Sequence, residues 1–250
     1  MTEKSKRIER NNRILRDEQI EQATLEFYRA LPRQLLQFPF DIKKALAALP
    51  RCKVYSYQEF AVIHGISVQD VIAYCESYAG CTEKQRGNYM VLYNDSDGVV
   101  EGHRRFTLGH EGGHIRLGHC ELPKETRESD AKALDAGADY FSACVLCPIP
   151  ILSRLHPQST LSIRKVFNLS NEASEIAYDG YKSYDRHYNE EWHREVQKIF
   201  APQIELLQMY TQGCDHMHYQ EELRLAKVKS MAVKPQSLVL PRSWRDFRKR

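Results

Sequence analysis

No stretch of the 250-residue chain approaches the roughly 18 to 20 consecutive apolar residues that a membrane-spanning helix needs, so no membrane partner is expected. The charged start, from Met1 to Arg7, has no apolar segment after it and reads as a chain without a signal peptide. Charge of one sign is missing too. Lys and Arg number 36 against 33 Asp and Glu, a net charge of +3, so direct nucleic-acid binding is not expected from the balance. Seven cysteines are an odd number with no framework spacing, and they read as reduced thiols of a cytoplasmic protein. Internal repeats and low-complexity segments are absent. The length is that of one large domain or a domain with extensions, enough to bury a core.

Against that background one run stands out, His110-Glu111-Gly112-Gly113-His114. On a helix, residues four apart share a face, so both imidazoles can reach a single metal ion. Zn²⁺ suits such a pair, and the intervening Glu111 sits where it can accept a proton from a polarised water molecule. Upstream, Asn88 to Tyr93 alternates and is rich in β-formers, Asn94 to Gly98 is a strong turn, and Val99 and Val100 suggest a short return strand. A strand edge before such a helix can hold an extended peptide.

A zinc site of this kind needs a third protein ligand and an open fourth position. Residues 128–147 read as one helix, with Ala131, Leu134, Ala138, Phe141 and Val145 as its apolar stripe and Pro148 as its end. Asp135 and Asp139 flank that stripe. Asp135 is the expected third ligand, Asp139 the partner that orients a ligating histidine or else an alternate ligand, and His119 a rival ligand if the motif helix ends at Gly118.

These blocks carry a resemblance. FTLGHEGGHIRLGH (106–119) looks like the motif helix of the ImmA/IrrE metallopeptidases, ADYFSACVLCP (138–148) is similar to their second helix, and VLYND (91–95) to their preceding strand. The resemblance covers about residues 47–170. It implies a zinc-dependent endopeptidase of zincin-like fold that cleaves a protein partner, often a helix-turn-helix repressor of a mobile element or stress response. It also implies His110 and His114 as zinc ligands and Glu111 as catalytic base. The family's third ligand is a glutamate; Asp135 is the carboxylate in that stretch here. Two departures stand beside this: Gly112 replaces a bulky apolar residue, and Gly137 a frequent carboxylate. Adjacent glycines loosen a helix, so the rival expectation is a regulatory binding protein that kept the fold and lost turnover. In the peptidase reading Glu111 takes a water proton and passes it to the leaving amine, with His103, His119 and Tyr140 as candidate oxyanion donors.

Elsewhere, residues 1–39 form a charged, mostly helical leader closed by Pro32, with a weak apolar stripe that suggests docking on the body or on a partner. Residues 40–200 form the metallopeptidase domain. It holds a strand at Val54 to Tyr57 and, around Gly65, two short helices with a helix-turn-helix look. Cys144 and Cys147 read as core, and Cys214 to His218 as a solvated or structural stretch. Short helices over 151–155 and 161–167 precede one long helical run over 171–200. Residues 201–250 are an extension ending in the basic stretch Pro241 to Arg250. The fold class expected is α+β, mostly helical, with a small antiparallel sheet beside the motif helix.

Overall fold

The computed structural model describes residues 17–184 and 189–232, with side chains described as far as Leu225. The first 16 residues of the leader and the basic stretch Pro241 to Arg250 lie outside the described residues. The leader's remainder is helix α1 (Asp17–Ala30), which buries Ile20, Leu25, Phe27 and Tyr28 in the core of the body. Aromatic rings from distant segments meet there. Phe27 stands edge-on to Phe141 with centroids 5.7 Å apart, Tyr28 to Phe200 at 5.0 Å, and Phe38 to Phe167 at 5.0 Å. A buried phenol needs a partner, and the Tyr28 hydroxyl donates to the carbonyls of Cys144 and Val145 at 3.0 and 2.9 Å.

Helix α2 (Ile42–Ala47) leads to strand β1 (Cys52–Ser56), and helices α3 (Tyr57–His64) and α4 (Val68–Cys75) follow. Both begin with capping boxes, Ser56 with Glu59 and Ser67 with Asp70, and Gly65 at φ 66° makes the turn between them. Their inner residues Tyr57, Phe60, Ala61 and Val71 pack with Leu92, so the helix-turn-helix look belongs to two helices covering the sheet. Strands β2 (Gly80–Gln85) and β3 (Asn88–Tyr93) form a hairpin through Arg86 and Gly87, at φ 49° and 76°.

The sheet departs from expectation. Its order is β1-β3-β2, with β3 central, antiparallel to β2 but parallel to β1, so the sheet is mixed. The parallel pair follows from the α3–α4 crossover between β1 and β3, which returns the chain to the same end of the sheet. Val99 and Val100 form no return strand; Val100 is the N-cap of helix α5 (Glu101–Arg116), which carries the histidine motif.

Helix α6 (Lys124–Leu146) starts earlier than residue 128 and packs along α5. Leu134, Ala138, Phe141 and Val145 of its expected stripe are buried, whereas Ala131 is not. The run Lys124–Leu155 is long and apolar enough to cross a membrane by length and composition, but 61% of its apolar window is buried in the body, as befits a core helix. After Pro148 come α7 (Ile149–Leu155), α8 (Thr160–Phe167), α9 (Asn171–Ser183) and α10 (Glu190–Ala232). The expected single run over 171–200 is thus two helices. Asn189, at φ 48°, starts the second by accepting a hydrogen bond from the Trp192 amide at 3.1 Å.

The cysteines also differ from expectation. Cys75 ends α4 and Cys81 lies in β2, and the tight return between them brings their Cα atoms to 5.6 Å, where they are joined as a disulfide. Cys52, Cys120, Cys144, Cys147 and Cys214 are free.

The contact that positions the motif is made by glycine. A Cβ on Gly113 would lie 2.8 Å from Ala138 Cα, and one on Gly109 would lie 2.2 Å from Ser142 Oγ. Gly109 and Gly113, four apart on α5, therefore meet Ser142 and Ala138, four apart on α6, Gly113 on the Ala138 backbone and Gly109 on the short Ser142 side chain. Gly112 faces another way, and the far end of the Leu46 side chain fills its space, 2.8 Å from where a Cβ would stand. The adjacent glycines are packed surfaces, not loose points in the helix. Gly113→Ala should therefore destabilise the fold by about 1–3 kcal/mol despite alanine's better helix propensity, and Gly112→Ala by less because Leu46 can swing away. Urea unfolding reads both; a Gly113→Ala variant as stable as the natural chain would contradict the packing described.

Candidate metal centre

Helix α5 points His110 and His114 outward on one face, one turn apart, toward the flank of α6. Their Nε2 atoms lie 2.9 Å from each other, and the Asp135 carboxylate stands 3.5 Å from Nε2 of His114. One ligand atom from each of His110, His114 and Asp135 falls within 4.8 Å of the others, a group able to hold a metal ion.

The remaining ring nitrogens are held from behind. His110 Nδ1 lies 2.7 Å from Asp139 Oδ1. An ionised carboxylate only accepts, so Nδ1 carries the proton and Nε2 keeps its lone pair toward His114 and Asp135. His114 Nδ1 lies 3.0 Å from His119 Nδ1. Gly118, at φ 73°, ends the motif helix and returns the chain through the short 3₁₀ turn His119–Glu121, which places His119 on the far side of His114 from Asp135. Asp139 and His119 thus stand behind the two histidines, and Asp135 stands in front. Among the three candidates for third ligand, Asp135 alone faces the paired Nε2 atoms.

Glu111 is turned about a quarter of the helix away from this face, toward strand β2. It is 6% exposed, and burial pushes its carboxyl above the ordinary range; Thr82 and His110 pull it down, and the Asp135 charge pushes it up. His114 is pushed from the ordinary histidine value of 6.5 down to about 3, chiefly by desolvation and then by His110, His119 and Arg127. Desolvation, with His110 behind it, lowers His119 to about 4. Both rings are held in the neutral form that a metal ligand requires.

Glu111, His114, His119 and Asp135 line a cavity of about 220 Å³ together with Thr82, Cys120, Arg127, Ala131 and Leu134. Thr82, Cys120 and Arg127 were not anticipated from the sequence. Arg127 could have been, because Arg127, Ala131, Leu134 and Asp135 share one face of α6. Thr82 lies in a segment with little strand character, GCTEKQ, and gave no signal.

The strand beside the cavity is β2. Strand β3 is paired on both sides and has no free edge. The Asn94 amide donates to the Ala79 carbonyl at 2.9 Å, so by the antiparallel alternation the backbone groups of Thr82 and Lys84 face the open edge of β2. The expected oxyanion donors fare unequally. Tyr140 donates its hydroxyl to the buried Glu21 carboxylate at 3.0 Å, and His103 is exposed one helical repeat away from the motif, so neither lines the cavity. His119 does.

Cys144 and Cys147 are buried at the end of α6, and desolvation raises both thiols well above the ordinary value. Of the stretch from Cys214 to His218, Cys214 is buried, and Asp215 accepts hydrogen bonds from Ser159 and from the Gln158 amide at 2.6 and 3.0 Å. These cysteines and Asp215 are structural, whereas His216 and Met217 are exposed. Comparison with protein-family models, with curated proteins and with solved structures gives no match in any of the three.

The two depressed histidines have a measurable consequence. The folded chain keeps His114 and His119 neutral to about 3 and 4, whereas the unfolded chain protonates them near 6.5. Their contribution to stability in chelator-treated protein is therefore full above 6.5 and is lost as the pH falls toward 4. Glu111, held above its ordinary value, acts in the opposite direction, so the test is a difference. Between about pH 7 and pH 5 the urea midpoint of the natural chain should fall further than that of His119→Asn. Equal falls would show that His119 is not held neutral.

Proposed function

We propose that the chain is a zinc-dependent endopeptidase of zincin-like fold that hydrolyses a peptide bond in a protein partner. The observation that carries this reading is the convergence of His110 Nε2, His114 Nε2 and the Asp135 carboxylate beside the buried Glu111. The donor set suits zinc. Tetrahedral ligands at about 2.0–2.1 Å from the ion stand roughly 3.3 Å from each other, close to the separations described, and two imidazoles with one carboxylate leave the fourth position open. The resemblance of residues 106–119 and 138–148 to ImmA/IrrE metallopeptidases supports the same reading and suggests the partner, a helix-turn-helix transcriptional repressor of a mobile element or stress response.

In this mechanism the open backbone edge at Thr82 and Lys84 pairs with an extended segment of the substrate and lays it beside the cavity. A bound zinc ion would polarise the scissile carbonyl and a water molecule and lower the water's pKa. Glu111, kept apart from bulk solvent and raised in pKa by burial, takes the proton from water and returns it to the leaving amine. Asp139 holds the proton on His110 Nδ1, and His119 accepts from His114 Nδ1, so both rings present Nε2 to the metal.

Glu111→Gln should keep the zinc and lower cleavage of a susceptible protein by roughly two to four orders of magnitude. Asp135→Ala should cost zinc affinity more than Asp139→Ala, whose loss should be roughly 10- to 100-fold. Metal analysis of the three purified variants, with cleavage followed by mass spectrometry, checks both. Zinc retained at natural occupancy in Asp135→Ala would show that the third ligand is elsewhere.

A further inference from the structure

Arg127 lies two turns before Asp135 on the same face of α6, about 12 Å along the helix axis. Ala131 and Leu134 lie between them, so this face forms one wall of the cavity, with Asp135 at the metal-ligating end and Arg127 at the other. Its neighbour Glu128 pairs with Lys124 at 3.7 Å, and among the described residues no carboxylate lies within ion-pair distance of Arg127. Asp135 stands with His110 and His114 in the ligand group, and Glu111 is buried toward β2. Among the described residues Arg127 is thus the one arginine or lysine of the cavity lining, an exposed side chain with a planar donor fork.

A strand of substrate paired on the edge of β2 sends alternate side chains to the same side, and Thr82 is both on that edge and in the lining. The residue next to the scissile bond therefore points into a cavity with apolar walls, Ala131 and Leu134, and a guanidinium at its end.

We propose that Arg127 sets the specificity of this site by binding a substrate carboxylate next to the bond that is cut. This rests on the peptidase reading for its context and on the cavity lining for its chemistry. The carboxylate is that of an aspartate or glutamate side chain, or the free C-terminus of the substrate, and the two sources bind the same fork.

The test uses the full chain supplied with zinc and acetylated, C-terminally amidated peptides that differ by one glutamate or glutamine. A second pair differs only in a free or amidated C-terminus. The natural chain should cleave the carboxylate member of one pair roughly tenfold or more faster, Arg127→Ala should level the two, and Arg127→Glu should turn the preference toward a lysine peptide. Which pair discriminates identifies the source. Binding is read separately in Glu111→Gln protein, by titrating the Ala131 and Leu134 methyl resonances with the same peptides. Arg127→Ala added to that background should weaken the carboxylate peptide roughly tenfold and leave the amide peptide unchanged. Cleavage and binding that ignore both the carboxylate and Arg127 would overturn the proposal while leaving the peptidase reading intact. Arg127-dependent binding without cleavage by the natural chain would uphold the carboxylate site and overturn the peptidase reading.

Discussion

Side chains of two helices can meet at a point the size of a metal ion only if the helix axes approach closely and at a fixed register. In this protein the approach is set at Gly109 and Gly113, where α5 lies against Ala138 and Ser142 of α6 with no side chain of its own in the way. Everything at the site follows from that crossing. One residue beyond each glycine on α5 stand His110 and His114; three residues before Ala138 and one after it stand Asp135 and Asp139. The register that seats Gly113 on Ala138 is the register that puts Asp135 in front of the histidines and Asp139 behind one of them. Tyr28 fixes the far end of α6 by its hydrogen bonds to Cys144 and Val145, and Arg105 ties α5 to the Phe40, Phe167 and Asn168 carbonyls at 2.7, 2.5 and 2.6 Å. The two helices cannot slide without breaking buried hydrogen bonds.

The polarity of the site is graded. Its ligand-bearing face is partly open to solvent, with Asp135 more than half exposed, whereas Glu111 is turned inward under strand β2. Desolvation therefore acts on the group proposed as the proton acceptor and on His114 and His119, holding the rings neutral and raising the carboxyl. Carboxylate and imidazole partners then fix which nitrogen each ring offers. A metal centre on these residues, as proposed, would owe as much to the residues behind the ligands as to the ligands.

Much of this was legible in the sequence because it rests on helical spacing. The pair His110 and His114, the stripe Leu134, Ala138, Phe141 and Val145, and the flanking positions of Asp135 and Asp139 follow from a period of 3.6. The sequence also set Asp135 and Asp139 apart, and the geometry puts them on opposite sides of the histidine pair. The mixed sheet was not. Strand β2 is Gly, Cys, Thr, Glu, Lys and Gln, a composition held extended by its hairpin and by pairing to β3 more than by its own propensity. With β2 unseen, β3 was given an edge it does not have. The glycines misled for a related reason: helix propensity counts what a glycine loses within its own helix, and nothing in a single sequence reports the backbone it lets approach. The disulfide between Cys75 and Cys81 likewise depends on the tight return between the end of α4 and the start of β2.

The zinc site proposed at the crossing of α5 and α6, two imidazoles and one carboxylate, can be read by X-ray absorption at the zinc edge of the loaded chain. The expected first shell is nitrogen and oxygen at about 2.0–2.1 Å, with the multiple scattering of two histidine rings and no sulfur. A sulfur scatterer at about 2.3 Å would place Cys120, which lines the same cavity, on the metal and would contradict the ligand set proposed here.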